Sequence, residues 1–183
     1  MTPRLPSSRF SGWSIALHWL MAALLVTTAA TMELRGMYPK GSDARDLLKA
    51  AHYTLGVGVF VLVWLRLLAR AFQATPPITP MPPAWQAMMG RAMHVALYAL
   101  MIGLPLLGWL ALSAKGAPIT LLGGLQLPSV LAENRDTSRW LKELHEAGAT
   151  AGYALVALHA AAALLHHYVV RDNTLLRMLP GRR

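Results

Sequence analysis

Residues 15–30, 53–69, 95–114 and 147–165 form four stretches that are almost free of charge. Each approaches the roughly 20 apolar residues that an α-helix needs to cross the hydrocarbon core of a bilayer. Nothing in lipid can satisfy an exposed N–H or C=O, so a chain of this pattern must span as helices, with every backbone group bonded internally. With their flanks the stretches give spans of about 13–32, 51–70, 92–114 and 146–170 within one domain, 1–183. The fold class expected is all-α: an integral membrane four-helix bundle, with Arg66 near enough to the end of its span to snorkel. The composition agrees. Only 14% of residues are charged and 55% are hydrophobic, where a soluble domain carries about 25% charged residues.

The segments between the spans, 32–51, 71–91 and 115–144, are too polar for lipid. The middle one holds Pro76, Pro77, Pro80, Pro82 and Pro83, a stiff extended connector, and Pro105 is expected to kink the third helix. An alternative for the first stretch is a signal peptide, since Arg4 and Arg9 precede an apolar run that ends in small residues. Its removal would leave three spans and discard His18.

A formal charge of +9 fits either nucleic acid or an anionic membrane surface. Hydropathy decides for the membrane and against nucleic acid. Charge asymmetry orients the bundle. Arg4, Arg9, Arg66, Arg70, Arg91, Arg171, Arg177, Arg182 and Arg183 fall on the side of the termini, against Asp172 alone; the other side sets eight basic residues against seven acidic ones. Positive segments stay in the cytoplasm, so both termini are expected there.

The absence of cysteine excludes disulfides, thiolate zinc sites, iron–sulfur clusters and covalently attached haem. Histidine carries the chemistry instead. All seven, His18, His52, His94, His145, His159, His166 and His167, lie in or at the ends of spans, where ionisable groups are costly and point to function. A single such histidine often serves only as an interhelical hydrogen-bond partner. Seven on four helices, with no acid inside the spans, ask for more.

His145 and His159 are 14 residues apart, about 21 Å along a helix and on nearly one face. His52 opens the second span level with His145, and His18 matches His159 in depth if the first helix starts near Ser8. Two pairs at two depths suit bis-imidazole ligation of two b-type haems between facing helices. Gly56, Gly58, Gly148 and Gly152 would leave side-chain-free surface for the porphyrins, though small residues also serve plain helix packing. Zinc or copper is the competing reading; it fits less well, because the four histidines do not converge on one ion and no carboxylate completes a shell. His94 competes with His18 as a ligand or serves as a hydrogen-bond partner. His166, seven residues beyond His159, is placed to bond a quinone carbonyl, while His166 and His167 beside Tyr168 also read as an interfacial anchor.

With those pairs in place, the sequence resembles the bacterial cytochrome b-561 family, most closely its superoxide-oxidising members. The stretches that carry the likeness are Ile15-Ala-Leu-His18-Trp19, Met32-Glu-Leu-Arg35-Gly36, Arg66-Leu-Leu-Ala-Arg70, Gly90-Arg-Ala-Met-His94, Leu158-His159 through His166-His167-Tyr168, and Asp172-Asn-Thr-Leu-Leu-Arg-Met-Leu-Pro180. The resemblance implies two non-covalent b haems, His18 and His159 holding the cytoplasm-side one and His52 and His145 the periplasm-side one. It implies ubiquinone near His166 as electron acceptor, superoxide as donor on the periplasmic side, and residence in the bacterial inner membrane without a required protein partner. Superoxide is an anion, so Arg35, Lys40, Arg45 and Lys49 are the candidates to attract it. The alternative function is that of a haem-b subunit linking a dehydrogenase or hydrogenase to the quinone pool. A third reading, a membrane protein whose histidines merely pack, involves no redox chemistry.

Overall fold

The computed structural model describes residues 9–181. Arg4, Arg182 and Arg183, which enter the charge count above, and Ser8, the expected start of the first helix, lie outside them. Four helices dominate: α1 (Gly12–Arg35), α2 (Asp43–Ala71), α3 (Ala84–Ala114) and α4 (Arg135–Leu165). All four are long and apolar enough to cross a membrane. The last continues through a π-helical turn, His166–Val170, and a 3₁₀ turn follows at Leu176–Met178.

Three helices begin eight to eleven residues before the expected spans at 51, 92 and 146. Hydropathy marks only the part of a helix that lipid would cover, whereas capping decides where the helix starts. Ser42 accepts from the Arg45 amide at the head of α2, with Asp43 and Asp46 in the first turn, where acids offset the helix dipole. Asn134 accepts from the Thr137 amide at 2.9 Å and opens α4, and α3 starts directly after Pro83. The proline-rich connector 72–83 stays out of regular structure. Helix α3 runs on through Pro105.

The helices pair as hairpins, α1 on α2 and α3 on α4, and α2 against α3 joins them. Leu17, Met21, Val59, Leu62, Val63 and Met101 form the core where α1, α2 and α3 meet. Ala111, Ala114 and Leu141 form a smaller one between α3 and α4 at the other end. Helix α4 touches little else. None of its most apolar 18 residues is buried, and its helix contacts run along α3 rather than the first hairpin.

Both ends are tied by polar contacts. A two-stranded hairpin, β1 (Ile119–Thr120) and β2 (Gln126–Leu127), lies over the ends of α2 and α3. Leu122 donates its amide to Thr54 Oγ1 at 2.8 Å, and Trp109 donates to the Pro128 carbonyl at 3.0 Å. At the end that carries the termini, the segment after α4 folds back on the bundle. Trp19 donates to the Met178 carbonyl at 2.8 Å, the Thr79 amide donates to Asn173 Oδ1 at 2.9 Å, and buried Arg177 donates to the Pro76 carbonyl.

Two histidine pairs between the helical hairpins

Helix α4 presents His145 and His159 to the first hairpin. His159 faces His18 of α1 with ring centroids 6.3 Å apart, and His145 faces His52 of α2 at 6.1 Å. Both pairs therefore bridge the hairpins where the helices themselves leave a gap.

Those spacings can be tested against an axially ligated iron. Two metal–nitrogen bonds of about 2.0–2.1 Å, plus roughly 1 Å from each nitrogen to its ring centre, put the centroids about 6.2 Å apart. Both pairs fit. His94 of α3 also approaches His159, at 5.4 Å, which is too short for a metal between the rings. Among the described residues no three His, Asp or Glu side chains converge on a common point, so the donor set is one of pairs.

The pairs differ in how their rings are held. His145 donates through Nδ1 to the Leu104 carbonyl at 2.9 Å, and His52 Nδ1 lies 3.2 Å from the Thr28 carbonyl and 3.4 Å from Thr31 Oγ1. A neutral imidazole that donates from Nδ1 keeps its lone pair on Nε2, the arrangement a metal ligand needs. His18 Nδ1, in contrast, is buried without a protein partner.

Glycines shape the surroundings. A Cβ on Gly108 would sit 3.2 Å from His145 Cε1 and 3.3 Å from its Nδ1, so a side chain at position 108 would crowd this ring. Gly56 and Gly58 face open space on α2, as a flat ligand would require. Gly148 and Gly152 do not. Their Cβ positions meet Leu104 and Leu100 of α3 at 2.8 and 3.6 Å, so these two serve helix packing and leave no porphyrin surface. Near the His18 pair, Ser14, Arg66, Arg70, Gln73 and Tyr98 line a cavity. The Arg66 guanidinium lies 5.7 Å over the Tyr98 ring, and no acidic residue occurs between positions 47 and 132. Two guanidinium groups with no ion pair to a carboxylate among the described residues would suit the carboxylates of a haem.

The four candidate cations at the opposite end are not equivalent. Arg45 donates to the Arg35 and Tyr38 carbonyls at 3.0 and 2.8 Å and braces the α1–α2 turn. Lys49 is paired with Asp46 at 2.6 Å. Lys40 is exposed. Arg35 is half-buried, and its Nε has no hydrogen-bond partner among the described residues. The sequence could not separate these four, because the distinction lies in who neutralises whom.

His166 and His167 diverge. His167 packs edge-on against the neighbouring Tyr168 at 4.7 Å. His166 donates through Nδ1 to Asp172 Oδ2 at 2.6 Å, and the Asp172 side chain is 1% exposed. Burial alone would raise the Asp172 carboxyl. The hydrogen bonds from His166 and from the Thr174 amide outweigh it and hold the group below the usual aspartate range. Asp172 and Gly108 are the residues that sequence reasoning passed over as site residues. Asp172 had a signal, as the sole acid on a side with nine arginines; Gly108 had none.

A model of the prokaryotic cytochrome b561 family matches residues 9–181. Cytochrome b561 homolog 1 of Escherichia coli (strain K12) is 43% identical over 96% of this chain and 99% of its own. The probable superoxide oxidase CybB of Yersinia pestis is 36% identical over 96% of this chain and 98% of its own. Cytochrome b561 homolog 2 of E. coli is 29% identical over 93% and 91%.

Proposed function

The chain belongs to the prokaryotic cytochrome b561 family, multi-pass haem-b electron carriers of the bacterial inner membrane, and from that premise we propose that it oxidises superoxide on the periplasmic side and reduces ubiquinone. His18 and His159 would hold one haem, and His52 and His145 a second. The observation that supports two haem sites is the pair of ring spacings, 6.3 and 6.1 Å, both built on α4. When bound, the haems supply reversible one-electron carriage between the two ends of the bundle.

The chain's own residues do the rest. The Leu104 and Thr28 carbonyls orient His145 and His52, and Gly108 makes room for the former. Arg35 draws the superoxide anion to the end where His52 and His145 lie; a like field in a cleft raises on-rates by about 10–10³-fold. Two superoxide anions give two dioxygen molecules and two electrons. One ubiquinone takes those electrons with two protons and leaves as quinol, its carbonyl held at the end where His166 lies. The excess of arginine on the side of the termini makes that the cytoplasmic face. The relative named as a probable superoxide oxidase supports the choice of donor.

A superoxide pulse given to the purified, oxidised protein without quinone tests the proposal. Reduced b-type bands should appear within the pulse and vanish when superoxide dismutase is present. Bands that respond to dithionite but never to superoxide would instead make the chain an electron carrier dependent on a protein donor.

A further inference from the structure

The backbone beyond α4 is arranged around one contact. After Leu165 the helix widens into a π-turn, an irregularity found mostly at functional sites. Arg171 then takes the left-handed conformation, φ 59° and ψ 39°, which residues other than glycine seldom adopt. The amide of Asp172 donates to the His166 carbonyl at 3.2 Å. This reversal returns the chain beneath His166 and sets the Asp172 carboxylate against Nδ1 at 2.6 Å. Asn173 and Arg177 pin the same segment to the connector between α2 and α3.

The ring is thus fixed by one nitrogen. Nε2, on its other edge, has no hydrogen-bond partner among the described residues, and the His166 side chain is 20% exposed. Arg177 also lies close enough for Asp172 to act on its charge, and residues 72–83 carry no titratable side chain.

We propose that Asp172 is the positioning residue of a proton-delivery site, holding His166 by Nδ1 so that Nε2 hands a proton to the quinone oxygen it faces. This rests on ubiquinone binding at His166. Each quinone that gains two electrons gains one proton on each oxygen. The doubly protonated His166 gives its Nε2 proton to the oxygen it faces, keeps the one on Nδ1, and regains the first from solvent at the face of the termini, while the far oxygen takes its proton from solvent. Asp172 stays ionised throughout and balances the ring while it is doubly protonated. The arrangement parallels the aspartate that orients the histidine of serine hydrolases, where exchange for asparagine costs about 10⁴-fold in kcat.

The test separates the two half-reactions in purified holoprotein by stopped flow. Haem reduction by a superoxide pulse is followed first, then reoxidation by a short-chain ubiquinone, for wild type, Asp172→Asn and His166→Ala. General acid catalysis is worth about 10²–10⁴-fold, so Asp172→Asn should slow reoxidation at least about tenfold. The KM for quinone and the rate of haem reduction should not change. If Asp172→Asn reoxidises at the wild-type rate, or raises KM alone, while His166→Ala is blocked, the proposal fails and the quinone site stands. If both variants reoxidise normally, the quinone site at His166 falls with it. Should Asp172→Asn lose haem, wild type in sealed vesicles decides. Protons consumed in quinone reduction should come from the face of the termini, and uptake from the opposite face would overturn the proposal.

Discussion

Gly108→Ala adds a single methyl group, and the structure places it against one side chain. The new carbon would stand 3.2 Å from His145 Cε1 and 3.3 Å from Nδ1. Carbon atoms rest at about 3.5–4.0 Å, so the ring has to retreat by a few tenths of an ångström. Its freedom is small. It is bonded to the Leu104 carbonyl at 2.9 Å, and its 6.1 Å distance from His52 already matches an iron between them. Overpacking of this kind costs typically about 1–3 kcal/mol, which converts to roughly 5–150-fold weaker retention of the second haem. The helix itself gains, since alanine is favoured over glycine by about 0.8–1.0 kcal/mol. Haem loss with an intact or firmer helix is therefore the signature. Haem content per chain and the rate of haem transfer to an excess of an apo-haem acceptor read it directly. A variant that retains both haems as firmly as wild type would refute the placement of His145 as a ligand packed on Gly108.

His159→Ala should remove the haem shared with His18 and leave the one between His52 and His145, halving the haem content of purified protein. At low ionic strength Arg35→Gln should slow haem reduction by superoxide at least about threefold and flatten its salt dependence. Lys49→Gln should do neither, because Asp46 already neutralises that lysine at 2.6 Å; equal effects would dissolve the distinction. Asp172 is held below the usual aspartate value, so its carboxylate stabilises the fold at neutral pH, and that contribution is lost as the pH falls below about 4. Thermal unfolding in detergent should show the gap between wild type and Asp172→Asn closing over that range, and a constant gap would contradict it.

The bundle was legible because lipid imposes a simple rule: four apolar stretches must be four helices. The histidine pairs were legible for a related reason, since rise per residue converts spacing on α4 into depth. Starts of helices were not, because Ser42 and Asn134 cap outside the lipid-facing run and leave no mark in hydropathy. The glycines divided in a way no local pattern foretold. Gly56 and Gly58 meet open space, whereas Gly148 and Gly152 meet leucines, which depends on how α3 rotates against α4. The four outer cations read alike in sequence because a salt bridge such as Lys49–Asp46 and a carbonyl brace such as that of Arg45 exist only in three dimensions. Asp172 lies six residues from His166, a separation at which no regular helix brings two side chains together. The π-turn and the left-handed Arg171 do so.

The haem-to-chain ratio and the low-temperature EPR spectrum of the purified, oxidised wild type bear most directly on the two histidine pairs. Two haems per chain, both low-spin with bis-imidazole ligation, are the expected result. One haem per chain, or a stoichiometric high-spin signal, would mean that at least one of the pairs at 6.1 and 6.3 Å does not bracket an iron.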